Sequence, residues 1–314
     1  MLRETLFRLS QEPHLRHLAT HNGVARKMAS RFVAGETLDD AVAAVHDINV
    51  RGMTATLDHL GENVSTQKEA TEATDAGCAI LHAIRTAGID CNLSLKLTQL
   101  GLDLGEDVAR TNLERVLDAA AQCDNFVRID MESSEYVDRT LDIFLELFPR
   151  HRNVGVVIQA YLYRSTRDVE RLIEAGARVR LVKGAYLEPA RIAFQDKSNV
   201  DASFAHLMEK LLVGGNYPAI ATHDVNMIET TKQFARTRGI DPSRFEFQML
   251  YGVRRDLQTR LVAEGYRMRV YVPYGTHWYP YLMRRMADRP ANVMFVMASI
   301  AREAAARPSR RIGG

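Results

Sequence analysis

The chain has 314 residues, of which 46% are hydrophobic and 25% charged, fractions that exclude a largely disordered protein. Its 41 Lys plus Arg against 39 Asp plus Glu leave a formal net charge of +2, which argues against a dedicated nucleic-acid binder with its large basic excess. Three cysteines, Cys78, Cys91 and Cys123, show no C-x-x-C spacing. A disulfide framework and a thiolate zinc site are both unexpected, and a reducing compartment fits.

Residues 1–45 precede any strand candidate and hold two helical patterns, so an N-terminal helical extension is expected there. The N-terminus lacks the apolar core of a secretory signal, and Glu4 and Glu12 interrupt its arginines. Eight short apolar or β-branched runs follow, at Met53–Leu57, Asn92–Leu97, Phe126–Met131, Val154–Ala160, Val179–Lys183, Ala219–Thr222, Phe245–Leu250 and Met268–Val272. Stretches of helical period separate them. In one, Phe204, Leu207, Met208, Leu211 and Leu212 fall in the i, i+3, i+4, i+7, i+8 pattern of one buried face. Eight alternating strands and helices close most simply into a (βα)8 barrel over residues 46–301; a doubly wound open sheet is the other arrangement of the same pattern. Residues 302–314, with Arg302, Arg307, Arg310 and Arg311, form a basic tail. No run of about 18 uncharged apolar residues is present, so no transmembrane helix is expected and the protein reads as cytoplasmic.

The chemistry of such a barrel sits at the C-terminal ends of its strands. Those ends carry Lys96; Arg128, Asp130 and Glu132; Gln159, Tyr161 and Arg164; Arg180 and Lys183-Gly184-Ala185-Tyr186; Thr222 and His223; Gln248 and Tyr251; and Tyr271. Polar groups from seven strands are expected on one rim. Each has a plainer reading: a lysine reaching solvent, Asp130 paired with a nearby cation, Gly184 making a turn. His223-Asp224 resembles a metal ligand with a supporting carboxylate, but no other histidine occupies a strand end, and no metal site is expected. Lys183-Gly184-Ala185 is neither a P-loop nor a dinucleotide fingerprint. After the eighth strand, Pro280 suits the first turn of a helix that brings Tyr281, Arg284, Arg285 and Asp288 near one face. Paired guanidiniums beside aromatic rings suit a small carboxylate with an apolar body. A solvated surface helix is the alternative.

Taken in order, Ser94-Leu95-Lys96-Leu97, Arg128-Ile129-Asp130-Met131-Glu132, Gln159-Ala160-Tyr161, Arg180-Leu181-Val182-Lys183-Gly184-Ala185-Tyr186, Ala221-Thr222-His223, Phe245-Glu246-Phe247-Gln248-Met249-Leu250 and Tyr281-Leu282-Met283-Arg284-Arg285 resemble the proline dehydrogenase family, specifically its stand-alone bacterial members. The resemblance implies a distorted (βα)8 barrel that holds FAD noncovalently, oxidises L-proline to 1-pyrroline-5-carboxylate and passes electrons to a quinone. It implies that Arg284 and Arg285, with Lys96 assisting, bind the proline carboxylate. Tyr186, Leu250, Tyr271 and Tyr281 would wall the ring, and Asp130 and Glu132 would stand at the reacting end. Arg180 would lie near flavin N5. Met131, Gln159, Lys183, Gly184, Ala185, Thr222 and His223 would contact FAD. Asp288 stands where relatives often carry Glu, one methylene shorter. The length leaves no room for a fused aldehyde dehydrogenase, so a separate pyrroline-5-carboxylate dehydrogenase is implied. A quinone acceptor implies peripheral contact with the inner membrane, to which the basic tail adds modest attraction. Two rival readings use the same residues: an aldolase-type barrel with a Schiff base on Lys96 or Lys183, and a non-catalytic amino-acid-binding module built on the Arg pair.

Overall fold

The computed structural model describes residues 29–282. Most of the N-terminal extension, Arg284, Arg285, Asp288 and the basic tail lie outside the described residues. Helix α1 (Leu38–Val50) leads into β1 (Thr54–His59), α2 (Gln67–Ala87), β2 (Cys91–Leu95), α3 (Glu106–Gln122), β3 (Val127–Ile129) and α4 (Val137–Leu147). The alternation continues through β4 (Val154–Gln159), α5 (Ser165–Glu174), β5 (Arg178–Val182), α6 (Lys197–Gly214), β6 (Ala219–Ala221), α7 (Val225–Thr237), β7 (Glu246–Leu250), α8 (Arg255–Ala263) and β8 (Met268–Tyr274). All neighbouring strands pair in parallel, and β8 returns to β1 to close the barrel in sequence order.

All eight predicted strands form, because runs buried on both faces have to be apolar where helices cover the sheet. β2 and β4 are buried along their whole length. The predicted face of α6 is buried at all five positions, Phe204, Leu207, Met208, Leu211 and Leu212. β1 runs two residues past its predicted end and so carries Asp58 into the barrel wall.

Helix α1 precedes the first strand and packs against the closure of the barrel. It starts at a reciprocal cap in which Thr37 Oγ1 accepts from Asp40 N and the Asp40 carboxylate accepts from Thr37 N. It buries Ala41, Val45 and Ile48 and packs on both β1 and β8. The expected boundary at residues 45/46 falls inside this helix. α1 therefore fills the seat between the last and first strands. Backbone bonds from Ala34 N to Pro273 O and from Gly275 N to Gly35 O tie the segment before α1 to the end of β8. A helix begins at Trp278, so Pro280 lies in its first turn as expected. The buried Trp278 indole donates to Glu36 Oε1 at 3.3 Å.

Candidate active site

At the C-terminal mouth the centre of the polar constellation is Asp130, just beyond β3. Its Oδ1 accepts from Arg180 Nη1 at 2.7 Å and from Ser94 Oγ at 2.7 Å. Its Oδ2 accepts from Tyr271 Oη at 2.6 Å, and Lys96 Nζ stands 3.6 Å away. Lys96 is also 3.6 Å from Asp58 Oδ1. The Arg180 guanidinium carbon lies 5.2 Å from the centre of the Tyr271 ring. Four strands thus supply Asp58, Ser94, Arg180 and Tyr271, and the residues next after β2 and β3 supply Lys96 and Asp130.

Burial raises the cost of every charge here, and pairing decides which stay charged. Burial pushes the Asp130 carboxyl up, but Arg180 and Lys96 outweigh it and hold Asp130 below the usual carboxylate range. Burial pulls the Lys96 ammonium toward neutrality, yet Asp58 and Asp130 outweigh it and keep the group above the ordinary lysine value. Burial pushes Asp58 up against the pull of Lys96, and the Asp130 charge adds to the rise. Of Arg180, Nη1 is fully engaged, whereas Nε and Nη2 are buried without an acceptor. A buried guanidinium keeps two idle donors only at a cost, and a ligand that offers acceptors there relieves it.

The other expected residues surround this centre. Glu132 accepts from Thr98 Oγ1 at 2.6 Å and from Thr98 N at 3.2 Å, and burial pushes its carboxyl up to about 7. It is bonded to the loop after β2 and makes no direct bond to the Asp130 group. Gln159 Nε2 donates to Glu132 O at 2.8 Å. Met131 is buried; Leu250, Ala185 and Tyr186 are half-buried, and Tyr281 is buried. His223 Nε2 accepts from Leu250 N at 2.9 Å, and Thr222 Oγ1 accepts from Asp224 N at 3.1 Å. Gly184 has φ +115°, and a Cβ there would stand 2.3 Å from the Tyr161 ring, so only glycine fits. Lys183 is bound between Asp201 and Asp224, to which Lys197 also bonds. Asp224 in addition caps α7, accepting from Asn226 N at 3.0 Å, which accounts for the His-Asp pair without a metal.

Three rim expectations require correction. Arg128 points into the opposite end of the barrel, where its Nη1 donates to the carbonyls of Val156 and Arg178. Side chains two apart on a strand share a face but lie about 7 Å apart along it, so Arg128 and Asp130 occupy different layers. Gln248 belongs to the lower layer too, donating to Glu246. Arg164 pairs at 2.6 Å with both Asp138 and Asp168 on the helix layer. Conversely, Asp58 and Asp201 escaped sequence reasoning. Thr56 and Asp58 alternate with apolar residues on β1, a pattern that signals an inward carboxylate once the strand is extended past Leu57.

A family model described as "Proline dehydrogenase" matches residues 41–298. Among similar proteins, "Proline dehydrogenase 1" of Bacillus subtilis (strain 168) is 46% identical over 300 residues, covering 96% of this chain and 99% of that protein. "Proline dehydrogenase" of Deinococcus radiodurans is 41% identical over 302 residues, covering 95% and 97%. Among solved structures, proline utilization A of Bdellovibrio bacteriovorus, inactivated by N-propargylglycine, superposes with a TM-score of 0.78 at 28% identity. That match covers 83% of this chain, which spans 32% of the larger protein.

Proposed function

The chain belongs to the proline dehydrogenase family and is an oxidoreductase acting on proline, and from that premise we propose that it uses FAD to convert L-proline to 1-pyrroline-5-carboxylate and delivers the electrons to a quinone. The observation that supports a flavin is Arg180, whose two buried, unaccepted donors suit the nitrogen and carbonyl acceptors of an isoalloxazine edge. The flavin supplies the hydride acceptor. The residues of the chain supply position and charge. Asp130 fixes the Arg180 fork, and the fork stabilises negative charge gathered beside it. Lys96, kept charged by Asp58 and Asp130, serves the substrate carboxylate together with Arg284 and Arg285. Tyr186, Leu250, Tyr271 and Tyr281 form the apolar wall for the ring, and Asp288 belongs to the same substrate-binding set. Met131, Gln159, Lys183, Gly184, Ala185, Thr222 and His223 line the cofactor side.

The Schiff-base reading fits poorly, because a nucleophilic lysine has to lose its proton. Lys96 is held charged between two carboxylates. Lys183 is ion-paired on two sides. No helix among the described residues is long and apolar enough to cross a membrane, so contact with a lipid-borne quinone is peripheral in this reading. Anaerobic addition of L-proline to the purified protein tests the proposal. Bleaching of a flavin spectrum is expected, followed by recovery of the oxidised spectrum on addition of a soluble quinone. Protein that is colourless and takes up no added FAD overturns it.

A further inference from the structure

The N-terminal mouth of the barrel, opposite the site above, holds a cavity of about 470 Å³ lined by five arginines (85, 128, 152, 178 and 269) and three acids (Asp90, Asp124 and Glu246). The charges do not cancel. Glu246 is taken by Arg269, whose Nε stands 2.9 and 3.1 Å from its two oxygens. Gln248 and Tyr217 donate to the same carboxylate. Arg128 is left with no carboxylate partner among the described residues although it is 97% buried, being 3% exposed. Both its hydrogen bonds leave Nη1, to backbone carbonyls, while Nε is buried without an acceptor. Burial, followed by the neighbouring cations Arg180, Arg269 and Arg178, pushes its guanidinium well below the usual arginine range, and the charge of Glu246, which makes no hydrogen bond to it, opposes that shift only in part. A buried guanidinium without an anion is a costly arrangement for a fold to keep.

The chain is nevertheless shaped to keep it. Gly155 on β4 faces Arg128, and a Cβ there would stand 2.6 Å from Arg128 Nη1 and 2.5 Å from Arg178 O. The Phe126 ring backs the guanidinium at 4.9 Å and also carries Arg178 at 5.3 Å. Arg178 lies 5.4 Å from the Tyr217 ring on its other side. It is exposed and has no ion pair among the described residues. Aromatic faces thus hold two guanidiniums at one opening, one buried and one exposed, with their forks short of acceptors.

We propose that this N-terminal cavity is a binding site for a small oxyanion of the phosphate class, held by Arg128 from within and Arg178 from the opening. The anion supplies the charge that Arg128 lacks, and Arg178 supplies a bidentate fork at the entrance. The site is separate from the mouth that carries Lys96, Asp130 and Arg180, so its occupant bears on stability and not on the oxidation step.

Inorganic phosphate titrated into the purified full-length protein, with chloride holding ionic strength constant, tests the proposal through the thermal midpoint. A saturable rise is expected, because a ligand that binds only the folded state stabilises it by mass action. Arg178→Ala removes an exposed side chain, so the variant folds. It is expected to weaken the apparent phosphate affinity by about tenfold or more, with proline turnover unchanged. A rise that does not saturate, that chloride alone reproduces, or that is the same in Arg178→Ala overturns the site.

Discussion

The two mouths of the barrel are built by the same strands and handle buried charge in opposite ways. β3 and its extension place Arg128 toward one end and Asp130 toward the other, and β8 does the same with Arg269 and Tyr271. At the C-terminal mouth, Lys96 and Arg180 converge on Asp130, with Asp58 behind Lys96, so cations and carboxylates match and each holds the others in place. At the N-terminal mouth, Arg269 and Glu246 form a closed pair, and Arg128 is left to backbone carbonyls and the face of Phe126. What distinguishes a reactive end from a structural one here is therefore not the number of charges. It is whether one side chain ties them into a single network that still leaves directed donors unused, as Asp130 does for Arg180.

Removing the hub is the severest test of that contrast. Asp130→Ala leaves Lys96 with Asp58 alone and Arg180 with no anion, and should cost about 3–5 kcal/mol in chemical denaturation as well as abolish turnover. A loss no larger than that of a surface substitution would mean the upper network is not cooperative. The second test uses pH. Because burial raises the Glu132 carboxyl to about 7 from an ordinary value of 4.5, the folded state binds more protons than the unfolded one between those values. Stability from this group is therefore greatest below about pH 4.5 and declines as pH rises through 7. Glu132→Gln removes that titration, so its stability relative to the parent should improve by up to about 3 kcal/mol between pH 4.5 and 8. Parallel stability curves for the two proteins would place the Glu132 titration elsewhere. The smallest effect belongs to the lower mouth. In phosphate-free buffer Arg128→Met exchanges a cation with no carboxylate partner for an apolar side chain of similar length, and should change stability by no more than about 1 kcal/mol. A loss as large as that of Asp130→Ala would erase the distinction between the two ends.

Much of this was legible beforehand because the barrel's demands are simple. Strands covered on both sides read as uninterrupted apolar runs, and all eight appear within about two residues of their predicted bounds. The pairing of Asp130 with a nearby cation was legible as well, since an acid and an arginine both directed into the barrel interior, from β3 and β5, have few other partners. Depth along the strand was not. Arg128 and Asp130 look alike in sequence, two residues apart on one face, and only the strand register assigns them to different mouths. Asp58 was hidden because a carboxylate after an apolar run reads as the end of a strand, although the hydrogen bonding of β1 to β8 continues past it to His59. Asp201 lies on a helix 18 residues from Lys183, and nothing local announces that the lysine turns toward it.

The position of α1 sets a timetable for the nascent chain. Its strand partner β8 ends at Tyr274, and the bond from Arg269 to the Ala55 carbonyl joins residues 214 positions apart. At synthesis rates of roughly 5–20 residues per second, α1 waits on the order of ten seconds or more before half of its seat exists. During that interval Ala41, Val45 and Ile48 have only β1 and α2 to cover them. Barrel closure is thus a late event that the last strand triggers. A ribosome stalled ahead of Met268 would carry an open sheet with both edge strands unpaired, the form in which this chain is most exposed to aggregation and most in need of a chaperone.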